Sequence, residues 1–206
     1  MIVAFLRHGS TTWNEQGRMQ GHRDVPLSER GRAEVRTWCL PADPGIPVTK
    51  PERWHSSPLQ RATETAQILS GVAPRTEPAL IEMDWGEWEG FGLEELRRRF
   101  GDAFLRNEAA GLDFRPPGGE SPREVRERVV RWLGEIAARS EPVVAVTHKG
   151  VLRAVLAAAT GWDMTTKPPI RLRSGTLHRF DVDAHGRIAI HECNVPLTTK
   201  PGREMT

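Results

Sequence analysis

Four stretches of the sequence set ionisable side chains directly after short apolar runs. They are Leu6-Arg7-His8-Gly9, Ser57-Pro58-Leu59-Gln60-Arg61-Ala62, Leu80-Ile81-Glu82 and Val146-Thr147-His148-Lys149-Gly150. Singly, each has an ordinary explanation. A histidine at a strand end is more often a hydrogen-bonded structural residue than a catalyst, Arg61 alone reads as a solvated helix residue, and Glu82 as a surface carboxylate. As a set they are two histidines, two arginines and one glutamate. Two guanidiniums and two imidazoles make a cationic pocket, and a guanidinium offers paired planar donors that match phosphate oxygens. An imidazole is a competent nucleophile toward phosphorus. A carboxylic acid beside it can give a proton to a leaving oxygen. Spacing alone does not choose that acid, because Asp84, Glu87 and Glu89 crowd Glu82 in the sequence.

The surrounding elements place these residues at one edge. Ile2–Leu6 and Pro142–Val146 are unbroken apolar runs with β-branched residues, the pattern of strands buried on both faces. Each ends in a polar turn, Arg7-His8 or Thr147-His148. Residues 53–56 read as a weaker strand and Ala79-Leu80-Ile81 as a short one. Helices are expected after Ser28, with Ala33, Trp38 and Cys39 inward, and from Ser57 to about Ser70, with Ser57 as cap, Pro58 in the first turn and Gly71 as stop. Further helices are expected over Leu93–Phe100, after the Ser121-Pro122-Arg123-Glu124 capping box, and over Val151–Ala159. Val125, Val129, Trp132, Leu133 and Ile136 lie on one helical face. Leu40–Pro51, with four prolines and a glycine, is a loop, and Leu177–Val182 with Arg187–Ile190 is a hairpin. Alternating strands and helices imply an α/β fold, a three-layer α/β/α sandwich on a mostly parallel sheet. Ligands of such sheets sit beyond the carboxyl ends of the strands. His148 would stand at a helix N-terminus, where free N–H groups favour an anion, and Gly9 and Gly150 permit close backbone approach.

Composition bounds the rest. The chain has 206 residues, enough for one domain (1–206) with a substantial core. Lys plus Arg number 29 against 27 Asp plus Glu, a net charge of +2, which argues against a nucleic-acid binder while leaving room for a local basic pocket. No apolar run approaches the length of a membrane span, and the opening apolar residues lack a basic leader and a cleavage site. The two cysteines, Cys39 and Cys193, form no CxxC pair, so neither a disulfide scaffold nor a zinc ribbon is expected, and a reducing, cytoplasmic setting fits. His22, His55, His178, His185 and His191 show no metal-ligand spacing and read as solvated or core residues. The Arg97-Arg98-Arg99 run reads as a solvated helix face, and the arginines from Arg123 to Arg131 as a surface ion-paired with Glu124 and Glu127. Seven tryptophans suggest a homodimer surface if any is exposed.

Arg7-His8-Gly9, with Thr11, Asn14 and the run from Gly17 to Leu27, resembles the start of the histidine phosphatase superfamily, which includes the cofactor-dependent phosphoglycerate mutases. Ser56–Ala66, Leu80–Gly90 and Val146–Ala154 resemble the family's later blocks, in its order and across most of the chain. The resemblance implies that His8 is the nucleophile, carried as a phosphohistidine, and that Glu82 is the proton donor and later the base for water. It implies that Arg7, Arg61 and His148, with Asn14, bind the phosphoryl oxygens, and that Gln20 belongs to the substrate pocket. It makes residues 84–120 a substrate lid and implies no metal or other cofactor, because the cationic side chains do the charge neutralisation; Glu89, before Gly90, reads as structural. Lys149 departs from the family, in which many relatives carry a small residue; its ammonium would favour a second anionic group on the substrate or point to solvent.

The resemblance leaves the acceptor open. Mutases of the family tend to carry a longer insert between the last two blocks, and His148 follows Glu82 by only 66 positions (148 minus 82). Residues 115–121 resemble bacterial broad-specificity and α-ribazole-phosphate phosphatases. The expected activity is therefore hydrolysis of a small phosphorylated metabolite, with a phosphoglycerate mutase as the alternative and a non-catalytic phospho-ligand binder as the reading from another class.

Overall fold

Val3, Ala4, Phe5 and Leu6 are fully buried, as an unbroken apolar strand requires when both sheet faces are covered. The computed structural model describes residues 1–41 and 46–199. In chain order the elements are β1 (Ile2–Arg7), α1 (Thr12–Glu15), α2 (Glu29–Thr37), β2 (Trp38–Cys39), β3 (Trp54–Ser56), α3 (Gln60–Ser70) and β4 (Arg75–Thr76). They continue with α4 (Leu93–Glu108), α5 (Pro122–Ala137), β5 (Val143–Thr147), α6 (Lys149–Thr160), β6 (Thr176–Val182), β7 (Ile188–Pro196) and β8 (Thr198–Thr199). Short 3₁₀ turns join several of them. The main sheet has the order β4-β3-β5-β1-β6-β7. Its first four strands are parallel, and β6 and β7 are added antiparallel.

Strand alternation builds two cores. Val3, Phe5, Val143 and Ala145 face α5 and α6, where Val129, Trp132, Leu133 and Val155 close the layer. Ala4, Leu6, Val144 and Val146 face α2 and α3, meeting Val35, Ala62 and Ala66. The result is the expected three-layer sandwich. Phe5 sits edge-on to Trp132 and Phe180, with ring centroids 6.3 and 5.9 Å away, and full burial of one such side chain stabilises the fold by about 1.5–3 kcal/mol.

The capping box of α5 forms as read: Ser121 Oγ accepts from Glu124 N–H, and the Glu124 carboxylate accepts from Ser121 N–H. Four readings need correction. Residues 79–81 are not a strand; Pro78–Leu80 is a 3₁₀ turn, and the short edge strand is Arg75–Thr76. In α2, Val35 turns inward and Ala33, about 200° away around the helix, is exposed, while Trp38 and Cys39 lie beyond the helix in β2. The helix expected from Leu93 to Phe100 continues to Glu108 across a kink at Gly101, whose φ of 47° lets the chain change direction without Cβ strain. Helix α3 starts at Gln60, later than Ser57 and Pro58 suggest, and its first N–H is capped from a distance by Asp24 Oδ1 at 2.7 Å.

Residues 42–45, inside the expected proline-rich loop, and residues 200–206, the end of the expected single domain, lie outside the described residues. Cys193 is a free thiol. Five tryptophans are buried and Trp13 and Trp85 half-buried. Among the described residues no helix is long and apolar enough to cross a membrane.

Candidate active site

β1 and β5 run parallel with Arg7 paired to Thr147, so the residues that follow them, His8 and His148, emerge side by side at the carboxyl edge. Their ring centroids lie 5.0 Å apart. His8 Nδ1 is 2.6 Å from the carbonyl oxygen of Gly9, which can only accept, so Nδ1 carries the proton and Nε2 keeps its lone pair. His8 is buried beside Arg7 and Arg61. Burial first, and then the two guanidiniums, push its pKa well below the ordinary histidine value. The imidazole is therefore neutral with Nε2 unprotonated, the form a nucleophile needs.

Arg61 is wholly buried on α3. Its Nη1 donates to Arg23 O at 2.9 Å, its Nη2 to Gly21 O at 2.8 Å and its Nε to His148 Nδ1 at 3.3 Å. Because Nδ1 accepts, His148 carries its proton on Nε2, which lies 2.7 Å from Ser57 Oγ. Both ring nitrogens of His148 are thus engaged, and the ring sits behind His8 and not in the cavity wall. Ser57, read from sequence as a helix cap, serves this histidine. The carbonyls that hold Arg61 are themselves fixed: Glu89 accepts from the N–H groups of His22 (2.6 Å) and Arg23 (3.0 Å). Gly21 is required there, since a Cβ would fall 2.0 Å from Glu89 Oε1.

Glu82 follows the 3₁₀ turn and is 8% exposed. Its Oε1 accepts from Met83 N–H at 2.8 Å and Gly150 N–H at 3.0 Å, leaving Oε2 with only a long contact to Gly150 N–H. Burial raises its pKa, opposed by the two N–H donors and by Arg61 and Arg7. Arg128 fastens the backbone carrying this acid. Its Nη1 donates to Ala79 O at 2.6 Å, its Nη2 to Ile81 O at 2.7 Å, and its Nε pairs with Glu120 at 2.8 Å. Arg128 was read as part of an ion-paired surface; the structure instead makes it a half-buried strut. The signal was present, since Arg128 is three positions after Val125 and four before Trp132, on the apolar stripe. His22, read as solvated or core, places Nε2 3.0 Å from Glu82 O.

Arg7, His8, Asn14, Gln20, Arg61, Glu82 and Lys149 all line one cavity of about 490 Å³. Met83, Trp85, Leu93, Phe104 and Phe114 form its apolar wall, all but Met83 from segment 84–120. Asn14 Oδ1 accepts from Thr11 N–H, and its Nδ2 makes no hydrogen bond in the structure. Arg7 Nη1 donates to Ser174 Oγ at 2.9 Å, but its Nε is buried without a partner. Both amide atoms of Gln20 are likewise buried and unpartnered. A buried atom left unpartnered costs about 1–3 kcal/mol, so these donors and acceptors are available to a bound group. Arg97 and Arg99 pair with Glu108 and Glu95 on the surface, as expected, and none of the Arg97–Arg99 run lines the cavity. Among the described residues no group of three or more His, Cys, Asp or Glu could hold a metal ion.

Comparison with known proteins agrees with this geometry. Over 197 residues the chain is 32% identical to a 2,3-bisphosphoglycerate-dependent phosphoglycerate mutase of Methylobacterium radiotolerans, covering 88% of this chain and 91% of that one. It is 32% identical over 170 residues to phosphoserine phosphatase 1 of Hydrogenobacter thermophilus, covering 79% and 78% of the two chains. Among solved structures, Bacillus stearothermophilus YhfR superposes with a TM-score of 0.78 at 27% identity, covering 96% of this chain and 98% of that one. A mycobacterial glucosyl-3-phosphoglycerate phosphatase gives 0.76 at 26% identity, covering 94% and 98%. Residues 3–195 match the model of the histidine phosphatase superfamily (branch 1), and the chain belongs to that superfamily.

Proposed function

We propose that the protein is a phosphomonoesterase that hydrolyses a small phosphorylated metabolite through a phosphohistidine at His8. The observation that carries this reading is the pairing of a neutral His8, its Nδ1–H fixed on Gly9 O, with a buried Glu82 whose carboxyl is held toward its protonated form. In the first step His8 Nε2 attacks phosphorus, the ester P–O bond breaks, and the Glu82 carboxyl gives its proton to the departing alkoxide. In the second, the Glu82 carboxylate takes a proton from water, whose oxygen attacks the phosphohistidine and frees His8 and phosphate.

Arg7, Arg61, Asn14 and Gln20 offer the donors for the phosphoryl oxygens, and these cations neutralise the charge that gathers on them. His148 holds Arg61, and its Nε2–H becomes a further donor when Ser57 yields it. The mutase reading has its own support, because a phosphoglycerate mutase is among the relatives at 32% identity. Hydrolysis is favoured by the short interval between Glu82 and His148, which leaves little chain to seal a phosphohistidine from water.

The test is phosphate release from p-nitrophenyl phosphate in EDTA, with His8→Ala as control. Release that persists in EDTA and disappears in the variant is the expected result. Folded protein that releases no phosphate, yet transfers phosphate between phosphoglycerates when bisphosphoglycerate is added, would be a mutase. Neither activity would leave a phospho-ligand binder.

A further inference from the structure

A second cavity, of about 1060 Å³, opens from the first at Arg7, Lys149 and Arg153, which line both. It runs between α6 and the segment 167–174. Six cations rim it, Arg7, Lys149, Arg153, Lys167, Arg171 and Arg173, and no Asp or Glu lines it. Elsewhere among the described residues, eleven arginines from Arg23 to Arg187 form ion pairs with carboxylates. None of the six rim cations does so in the described structure. Like charges held together repel. Burial and then the neighbouring Arg7 and Arg153 lower the Lys149 pKa, with Arg171 adding to the effect and Glu82 opposing it.

The rim is built and not a floppy fringe. Exposure alternates along residues 168–173 of the segment. Ile170 and Leu172 pack inward against Trp162 and Leu156, while Arg171 and Arg173 stay exposed. Asn194 clamps it from β7, its Oδ1 accepting from Arg173 N–H at 2.7 Å and its Nδ2 donating to Arg171 O at 3.2 Å. Arg153 is laid over the Trp162 ring at 4.8 Å. The floor between the cations is apolar, from Leu152, Leu156, Ile170 and Leu172. From Lys149 to Leu156 the groove follows α6 for about 10 Å, beyond the reach of a three-carbon acid whose phosphate sits at His8.

We propose that this groove binds a second phosphate group of the substrate, so that the preferred substrates are phosphomonoesters whose leaving alcohol is an apolar spacer ending in a further phosphate. Guanidinium forks suit the oxygens of that group, and the apolar floor suits the spacer. The inference rests on the phosphomonoesterase reading, and its test separates the two.

The probes are hexanediol bisphosphate, hexyl phosphate, a hexyl phosphate ending in a carboxylate, and p-nitrophenyl phosphate. The variant is Arg171→Ala/Arg173→Ala, which leaves the catalytic residues untouched. Wild type is expected to favour the bisphosphate over hexyl phosphate in kcat/KM by about ten- to a hundredfold, and the preference should shrink in high salt. The double variant should lose most of that preference and keep its rate on p-nitrophenyl phosphate. A ratio near one in wild type, an equal gain from the carboxylate-ended ester, or a preference unchanged in the double variant would overturn the assignment. If no ester is hydrolysed, the hydrolytic reading fails by itself. Calorimetric binding of hexanediol bisphosphate to the wild type and the double variant then decides the groove: binding lost in the variant supports it, and equal or absent binding overturns it.

Discussion

Replacing Glu82 with glutamine removes one proton and little else. The glutamine Oε1 can still accept from Met83 N–H and Gly150 N–H, the two bonds that hold the native side chain at 2.8 and 3.0 Å. The backbone behind it, gripped by Arg128 and by Thr147 Oγ1 on Leu80 O at 2.7 Å, has no reason to move. What disappears is the acid on Oε2. General acid catalysis by a positioned carboxyl contributes about 10²–10⁴-fold, so kcat/KM on an alkyl phosphate, whose alkoxide must be protonated as it leaves, should fall by that factor. p-Nitrophenolate leaves without a proton, and kcat/KM on its phosphate reports steps only through phosphorylation of His8; there the loss should stay within about tenfold. Steady-state kinetics on hexyl phosphate and p-nitrophenyl phosphate, with melting curves as a control on folding, supply the comparison. Equal losses on both substrates would refute the role of Glu82 as the leaving-group acid.

Three other outcomes follow from the same geometry. Gly150→Ala puts a Cβ 2.3 Å from Glu82 Oε1, so it should displace the acid and reproduce the Glu82→Gln pattern across the two substrates; a variant as active as wild type on hexyl phosphate would show that the acid does not need its present seat. The pKa of His8 is lowered and that of Glu82 raised, which brings the pH ranges of the working forms, neutral imidazole and protonated carboxyl, toward each other. A pH profile of kcat/KM on hexyl phosphate should lose its acid limb only below the ordinary histidine value near 6.5 and its alkaline limb only above the ordinary glutamate value near 4.3, with the alkaline limb absent in Glu82→Gln; a limb that survives in that variant would belong to another group. Arg128→Ala leaves the carbonyls of Ala79 and Ile81 without their donor, at about 1–3 kcal/mol each, and should lower kcat on hexyl phosphate more than on p-nitrophenyl phosphate with KM little changed; a uniform loss on both would mean that Arg128 only stabilises the fold.

The parts of the fold legible in the sequence were those governed by local rules. The buried strands announced themselves by uninterrupted β-branched runs, α5 by its capping box and apolar stripe, and the edge carrying His8 and His148 by polar turns after those strands. What sequence misplaced depended on partners far along the chain. Asp24 caps α3 from 36 positions away, which freed Ser57 from the capping role its neighbours suggested and left it for His148. Glu89 reads as structural from sequence, but its partners, the loop holding Arg61 more than 60 positions off, are not legible there. Arg128 is the instructive case, because a charged residue on an otherwise apolar stripe is a polar group that burial will force to find partners. The candidate set is legible as chemical types at one sheet edge, but the depth of His148 behind His8 comes only from three dimensions.

The central claim is that phosphate passes through His8. Rapid mixing with substrate, quenching at alkaline pH and peptide mass spectrometry test it directly. The account predicts one transient phosphoryl group on the peptide carrying His8, stable to base, labile to acid and absent from His8→Ala. Phosphate released at full rate with the label on another side chain, or by an enzyme whose His8→Ala variant turns over normally, would contradict it.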